Sequence, residues 1–383
     1  MNKQQIRNTL RFIKQLYPGE NPVPLHAPRF LGNEKKYLGE CIDSTLVSYV
    51  GGFVTDFEEH IKRLTGVRNA VAIVSGTAAL HMVLLAAGIG AGDEVVTQSL
   101  TFAATAAGIR HSGAMPVFVD VDRETMGMSP ESLKRWLRKN TVVSGGKLVD
   151  TATGSRVAAV MPMHSFGHPV RIDEIAEICD DFGILLIEDA AESIGSRYKG
   201  KYTGTFGKAS ILSFNGNKPV TTGGGGMILT DDDELAARAR HISTTAKRKH
   251  RWEFYHDEVG YNLRMPNVNA AIGCAQMELF SRTFDNKRET ARRYSEFFAA
   301  EGIEFFKEPK DAVSNYWLNA ILLEDRAARD EFLGESNDSG VQTRPIWVLM
   351  HKLPPYERCR RSEVPVSEWF EEHTVNIPSS VRL

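Results

Sequence analysis

The chain alternates between two rhythms. Runs rich in β-branched and aliphatic residues, AVAIV at 70–74, EVVTQ at 94–98, MPVFVDV at 115–121, VAAVMPMH at 157–164, ILLIEDA at 184–190, ASILSF at 209–214 and GGMILT at 225–230, are separated by stretches of helical apolar spacing at 77–88, 101–112, 129–139 and 172–182. Strands that alternate with helices need crossover connections, so this order predicts a mostly parallel sheet with helices on both faces, a three-layer α/β domain. The near-continuous apolar character of AVAIV and ILLIE fits strands buried on both sides.

Two regions break the rhythm. At the start, Ile6, Leu10, Ile13 and Leu16 or Tyr17 share one face of a helix that Pro18-Gly19 ends. PLHAPRFLG follows as an extended, proline-punctuated entry, then helical patterns over 34–46 and 55–65, the second with Thr55 and Glu58 at capping-box spacing. Beyond about residue 265 the pattern gives one long helix, roughly 266–300, and then EGIEFF, NYWLNAILLE and VQTRPIWVL as strands around shorter helices. The predicted division is a helical extension at 1–23, a large domain at 24–265 and a smaller α+β domain at 266–383, with GYNLRMPN at the boundary.

Composition narrows the function classes. A chain of 383 residues fits two domains at about 100–200 residues each, and 42% hydrophobic content supplies a large core. Forty-six Lys and Arg against 48 Asp and Glu leave a formal charge of -2, so no net basic field draws the protein to nucleic acid or anionic lipid. Cys41, Cys179, Cys274 and Cys359 lie far apart without CxxC or CxxH spacing; they predict reduced thiols and no metal site. The N-terminus has no 7–15-residue apolar run, and no stretch approaches the roughly 20 apolar residues of a membrane span, so the cytoplasm is the expected compartment.

In open α/β sheets, ligands collect outside the carboxyl ends of the strands. AVAIV runs into Ser75-Gly76-Thr77, which presents N–H groups and a hydroxyl at a helix start, a cradle for a phosphate, although such residues more often serve only as a cap. Phe102 follows EVVTQ, either as a stacking ring or as a core residue. ILLIEDA ends in Glu188 and Asp189, with Glu192 shortly after; a carboxylate at the end of an apolar strand is costly alone, so a cation or a proton is expected beside Asp189. ASILSF delivers Ser213 and then Lys218, which is either a solvated turn residue or an amine held where its charge can be removed. The glycines 223–226 form either a tight turn that lets backbone approach a ligand or a flexible loop. No strand leads into GxGxxG with an acidic residue about 20 positions on, so a nicotinamide cofactor is not expected.

Together these groups are what pyridoxal phosphate requires. Its aldehyde condenses with a lysine, and an Asp beneath its ring nitrogen keeps the proton that makes the ring an electron sink. Lys218, once released by an incoming amine, then serves as the base that moves a proton, which requires burial to lower its pKa.

At these residues the chain resembles the DegT/DnrJ/EryC1/StrS sugar-nucleotide aminotransferases, a branch of the fold-type I pyridoxal-phosphate enzymes, from about residue 24 to the C-terminus. The matching stretches are FLGNEKKYLGECIDS, VSGTAALHMVLLAAGIGAGDEV, SLTFAATAAGI, IEDAAESIGS, SFNGNKPVTTGGGGMILT, GYNLRMPNVNAAIG and RPIWVLMHKLPPY. The resemblance implies that Gly76, Thr77 and Ser213 hold the cofactor phosphate, Phe102 stacks on the ring, Asp189 pairs with its nitrogen and Lys218 bonds to its aldehyde. Glu192 stands where many members carry Gln near the cofactor hydroxyl. A homodimer with active sites at the interface is implied, with Asn262 reaching the neighbouring subunit's phosphate.

Within the family, EDAAES, SFNGNK and RPIWVLMHKLPPY most resemble the branch that aminates C4 of UDP-linked 4-keto-6-deoxy-N-acetylhexosamines, as in bacillosamine and legionaminic acid biosynthesis. L-glutamate is the implied donor and pyridoxamine phosphate the cofactor's alternate form. Arg344 and His351 lie in the segment that would meet the sugar nucleotide, each equally compatible with a surface turn. A different 4-keto or 3-keto sugar linked to dTDP or GDP is the alternative, and a non-catalytic regulatory protein that binds a sugar nucleotide is the alternative of another class. Lys218 argues against the dehydratase relative that has histidine there.

Overall fold

A computed structural model describes residues 1–382. Its largest sheet runs in the order Asn69–Ile73, Gly226–Thr230, Ala209–Ser213, Leu185–Asp189, Arg156–Met161, Asp93–Gln98 and Met115–Val119. Gly226–Thr230 is antiparallel to both neighbours, and the remaining contacts along this path are parallel, so the expected mostly parallel sheet is present. Helices start where the sequence supplies caps: the side chains of Ser75, Ser129 and Asp232 each accept a hydrogen bond from the backbone N–H three residues on. Val71, Ile73, Leu80, Val83, Ile187, Ile211 and Ile228 join sheet and helices in one fully buried core.

Three expectations change, and one element is added. The predicted 266–300 helix is two helices, Asn267–Glu278 and Phe280–Glu301, because Leu279 takes φ -103°, ψ 5° between them. The helix expected at 34–46 ends at Asp43. The helix expected to start at Thr55 starts at Gly52, so Thr55 and Glu58 make no capping box; Glu58 instead accepts from Ala72 N at 2.7 Å and pairs with Arg240 and Arg264. Finally, a hairpin, Thr141–Ser144 with Lys147–Asp150, extends the sheet beside Arg156. Its Gly145-Gly146 turn has φ 56° and 74°, the positive values of a two-residue type I′ loop.

The C-terminal strands Glu304–Phe305, Asn319–Leu322, Thr374–Ile377 and Arg344–Pro345 form a separate antiparallel sheet. The N-terminal helix Lys3–Leu16 shares its core: Ile6, Leu10 and Ile13 cluster with Tyr294, Phe298 and Val375. The extended entry then pairs with this part of the chain, Val23 N donating to Gly340 O at 2.8 Å and Ser379 N to Leu25 O at 2.7 Å. Among the described residues no helix is long and apolar enough to cross a membrane, and all four cysteines are buried and unpaired.

Candidate active site

Parallel strands end on the same edge, and here that edge opens into a cavity of about 690 Å³. Gly76, Thr77, Asp189, Glu192, Ser213 and Lys218 line one side of it, while Trp317, Gln342, Arg344, Trp347 and Asn376 come from the C-terminal region.

Asp189 closes its strand fully buried, with Oδ2 accepting from Thr105 Oγ1 at 2.7 Å and Oδ1 from Ala191 N at 3.1 Å. Burial raises its pKa despite these bonds, so the site still lacks a full cationic partner for this carboxylate. Glu192 Oε2 accepts from Phe166 N at 2.8 Å, which fixes Oε1 3.3 Å from Lys218 Nζ. Burial pushes Glu192 up to about 7 and lowers Lys218, with Glu192 and Asp189 opposing the lysine's shift. Desolvation acts on both members of the pair in the direction that removes their charges.

Trp317 completes the lysine's surroundings. Its ring centroid lies 3.6 Å from Lys218 Nζ, and its Nε1–H donates to Asn217 O at 2.7 Å, pinning the turn that carries the lysine. Lys218 is therefore the held amine of the two sequence alternatives.

The phosphate cradle depends on close backbone packing. A Cβ on Gly76 would stand 2.9 Å from Ser213 Cβ, so only glycine lets the start of helix Gly76–Ala86 rest against the end of strand Ala209–Ser213. Free N–H groups of that first turn then meet the Ser213 hydroxyl in the cavity. The glycine run serves the same junction: a Cβ on Gly226 would lie 2.4 Å from Ser75 O. Gly226 thus admits the chain's own backbone, and Gly225 packs against the side chains of Thr222 and Met265.

The residues present fit pyridoxal phosphate: a helix start with a hydroxyl for its phosphate, a buried carboxylate short of a cation for its ring nitrogen, and a desolvated amine for its aldehyde. Phe102, half exposed on the cavity and edge-on to Trp347 at 6.2 Å, is available to the ring face.

Gly76, Thr77, Phe102, Asp189, Glu192, Ser213, Lys218 and Arg344 thus converge on one cavity. Arg344 is exposed there, with Nη1 donating to Asn337 Oδ1 at 2.9 Å. His351 does not line the cavity of its own chain, and it is no surface turn: it is buried, and its Nδ1 lies 2.7 Å from Ser99 Oγ, tying the C-terminal segment to the loop after Asp93–Gln98. Asn262 is exposed outside the cavity of its own chain. Sequence reasoning missed Thr105, Trp317 and His26. Thr105 stands one helical turn after Thr101 in TFAAT, a spacing that puts both on the face toward the strand ends; the other two carried no local signal.

Comparison with known proteins agrees with this site. Residues 30–383 match the model of the DegT/DnrJ/EryC1/StrS aminotransferase family. The chain is 37% identical over 357 residues to a GDP-perosamine synthase of Escherichia coli O157:H7, covering 93% of each, and 34% identical over 363 residues to one of Vibrio cholerae, covering 93% and 94%. The crystal structure of a DegT DnrJ EryC1 StrS aminotransferase from Brucella abortus superposes with TM-score 0.82 at 27% identity, over 91% of this chain and 90% of that one. With a lysine, a carboxylate and a phosphate cradle converging in a fold-type I framework, the chain belongs to the DegT/DnrJ/EryC1/StrS aminotransferase family and is a pyridoxal-phosphate-dependent sugar aminotransferase.

Proposed function

We propose that this enzyme moves the amino group of L-glutamate to C4 of a nucleotide-linked 4-keto-6-deoxyhexose, leaving 2-oxoglutarate. The observation that carries the reading is the Lys218 amine, 3.3 Å from Glu192 in a cavity whose far wall, Gln342, Arg344 and Asn376, offers polar groups and room for a sugar. The cofactor, when bound, supplies an aldehyde for the donor amine and a ring that takes up the electron pair left when a proton leaves carbon. Lys218, its pKa lowered by burial, would take up and return that proton. Asp189 would hold the proton on the ring nitrogen of the bound cofactor, and Thr105 and Ala191 keep its oxygens oriented. Trp317 keeps water from the amine.

The nucleotide is the finer part of the proposal. Relatives named GDP-perosamine synthase support a GDP-linked substrate over the UDP-linked N-acetylhexosamine; the stretches EDAAES and RPIWVLMHKLPPY keep the UDP-linked sugar as the second reading. A homodimer is part of the proposal: Trp252, Phe254, Tyr255 and Val259 are strongly exposed just before Asn262, an apolar surface of the kind that a second copy covers. The test incubates the purified enzyme with glutamate and GDP-, UDP- and dTDP-linked 4-keto sugars, and detects products by mass. An amino sugar from the GDP-linked ketone is expected. A preference for the UDP-linked ketone selects the second reading, and absence of any amino sugar together with unconverted glutamate rejects both.

A further inference from the structure

A second buried amine lies behind the cavity wall. Lys287, on helix Phe280–Glu301, is 1% exposed, and its Nζ reaches three neutral acceptors: Ser379 O at 2.7 Å, His26 Nε2 at 3.0 Å and Trp317 O at 3.1 Å. Among the described residues it forms no ion pair, and only burial acts on its pKa, lowering it to about 7. A buried ammonium without a counter-charge is destabilising by itself, so the missing negative charge is a feature to be explained.

His26 connects this amine to the cavity. The extended entry places it there, with Leu25 O accepting from Ser379 N at 2.7 Å and Ala27 N donating to Ser380 Oγ at 2.9 Å. When Lys287 is an ammonium its three N–H groups match its three acceptors, which makes Nε2 the accepting nitrogen of His26 and leaves the ring proton on Nδ1. Nδ1 is buried without a partner in the protein, on a ring that lines the same cavity as Lys218. Burial first, then the neighbouring Lys287 and Lys218, lowers the His26 pKa and favours the neutral ring. An unpartnered N–H backed by an uncompensated ammonium is a receptor for an anion.

The position argues for which anion. Trp317 touches both amines, its ring on Lys218 and its carbonyl on Lys287. An amino acid carries a carboxylate on the very carbon that bears its amine, so a donor reacting at Lys218 must bring a negative charge close to that indole. The diphosphate of a sugar nucleotide lies a whole pyranose ring from the ketone. We propose that the Lys287–His26 pair is the carboxylate receptor for the amino donor, with His26 Nδ1–H as hydrogen-bond donor and Lys287, in its ammonium form, as the positive charge behind it. The assignment rests on the amino-acid-donor reading above.

The test uses the cofactor-loaded enzyme and measures binding of glutarate, an unreactive dicarboxylate, by calorimetry, with GDP and UDP as controls. His26→Phe keeps a ring and loses both nitrogens; Lys287→Met keeps length and loses charge, and covers the case in which the first variant folds poorly. Each is expected to weaken glutarate by roughly 10- to 100-fold, the worth of one charge-assisted hydrogen bond, and to raise KM for glutamate, while nucleotide affinity stays unchanged. Folded variants that bind glutarate like the wild type overturn the proposal. Weakened GDP or UDP with unchanged glutarate overturns it too, by assigning the anion to the diphosphate. A wild-type enzyme that binds no glutarate and takes its amine from a donor without a carboxylate refutes the glutamate reading and this one together, which separates the two failures.

Discussion

Lys218 and Lys287 are the buried lysines among the described residues, and they are buried on opposite terms. Lys218 has Glu192 at 3.3 Å and Asp189 within its field, so its proton has somewhere to go inside the site. Lys287 has only two carbonyls and an imidazole nitrogen, groups that orient an ammonium without neutralising it. One lysine is arranged to exchange its charge and the other to display it. The difference lies in the neighbours, because both sit in the same desolvating interior.

Replacing each in turn sharpens the contrast. Lys218→Ala removes both the attachment point and the base, and amine transfer should fall by at least about 10³-fold, with loss of the visible absorbance of the lysine-bound cofactor. Retention of both would place the reactive amine elsewhere. Asp189→Asn keeps the shape and the Thr105 contact but gives up the charge; kcat should fall by roughly 10²- to 10³-fold in the glutamate half-reaction followed by stopped-flow absorbance. A variant with wild-type kcat would show that the ring proton needs no carboxylate.

Lys287→Met has an effect on stability beside the one expected on donor binding. The wild-type amine has a pKa of about 7 when folded against an ordinary 10.5, so unfolding takes up a proton between those values and stability rises with pH across that window. The variant should lack this rise, losing roughly 1–3 kcal/mol of the wild type's gain between pH 7 and pH 9 in denaturant titrations. Parallel pH curves for the two proteins would mean that Lys287 stays charged across this window and that burial does not lower its pKa, leaving its role as a displayed charge intact.

Much of the site was legible because it sits at the ends of strands. Asp189 and Ser213 each close an apolar run, and period and polarity mark that position before any fold is known. Lys218 stands out in the next turn. His26 and Trp317 could not be read this way: they acquire their roles from residues 261 and 100 positions away, and neither PLHAP nor NYWLN differs locally from an ordinary extended segment. Of the two readings open for His351, the surface turn fails, because Ser99 satisfies the ring inside the protein. The break at Leu279 has no glycine or proline to announce it. The hairpin did have its Gly145-Gly146 signal, a positive-φ turn between two β-rich runs.

One residue joins the two amines. Trp317 places its indole on Lys218, its N–H on the neighbouring turn and its carbonyl on Lys287. In a variant whose other four tryptophans are replaced, its emission would therefore gauge the pocket, because attachment of the cofactor on one flank and arrival of a carboxylate on the other would perturb the same fluorophore.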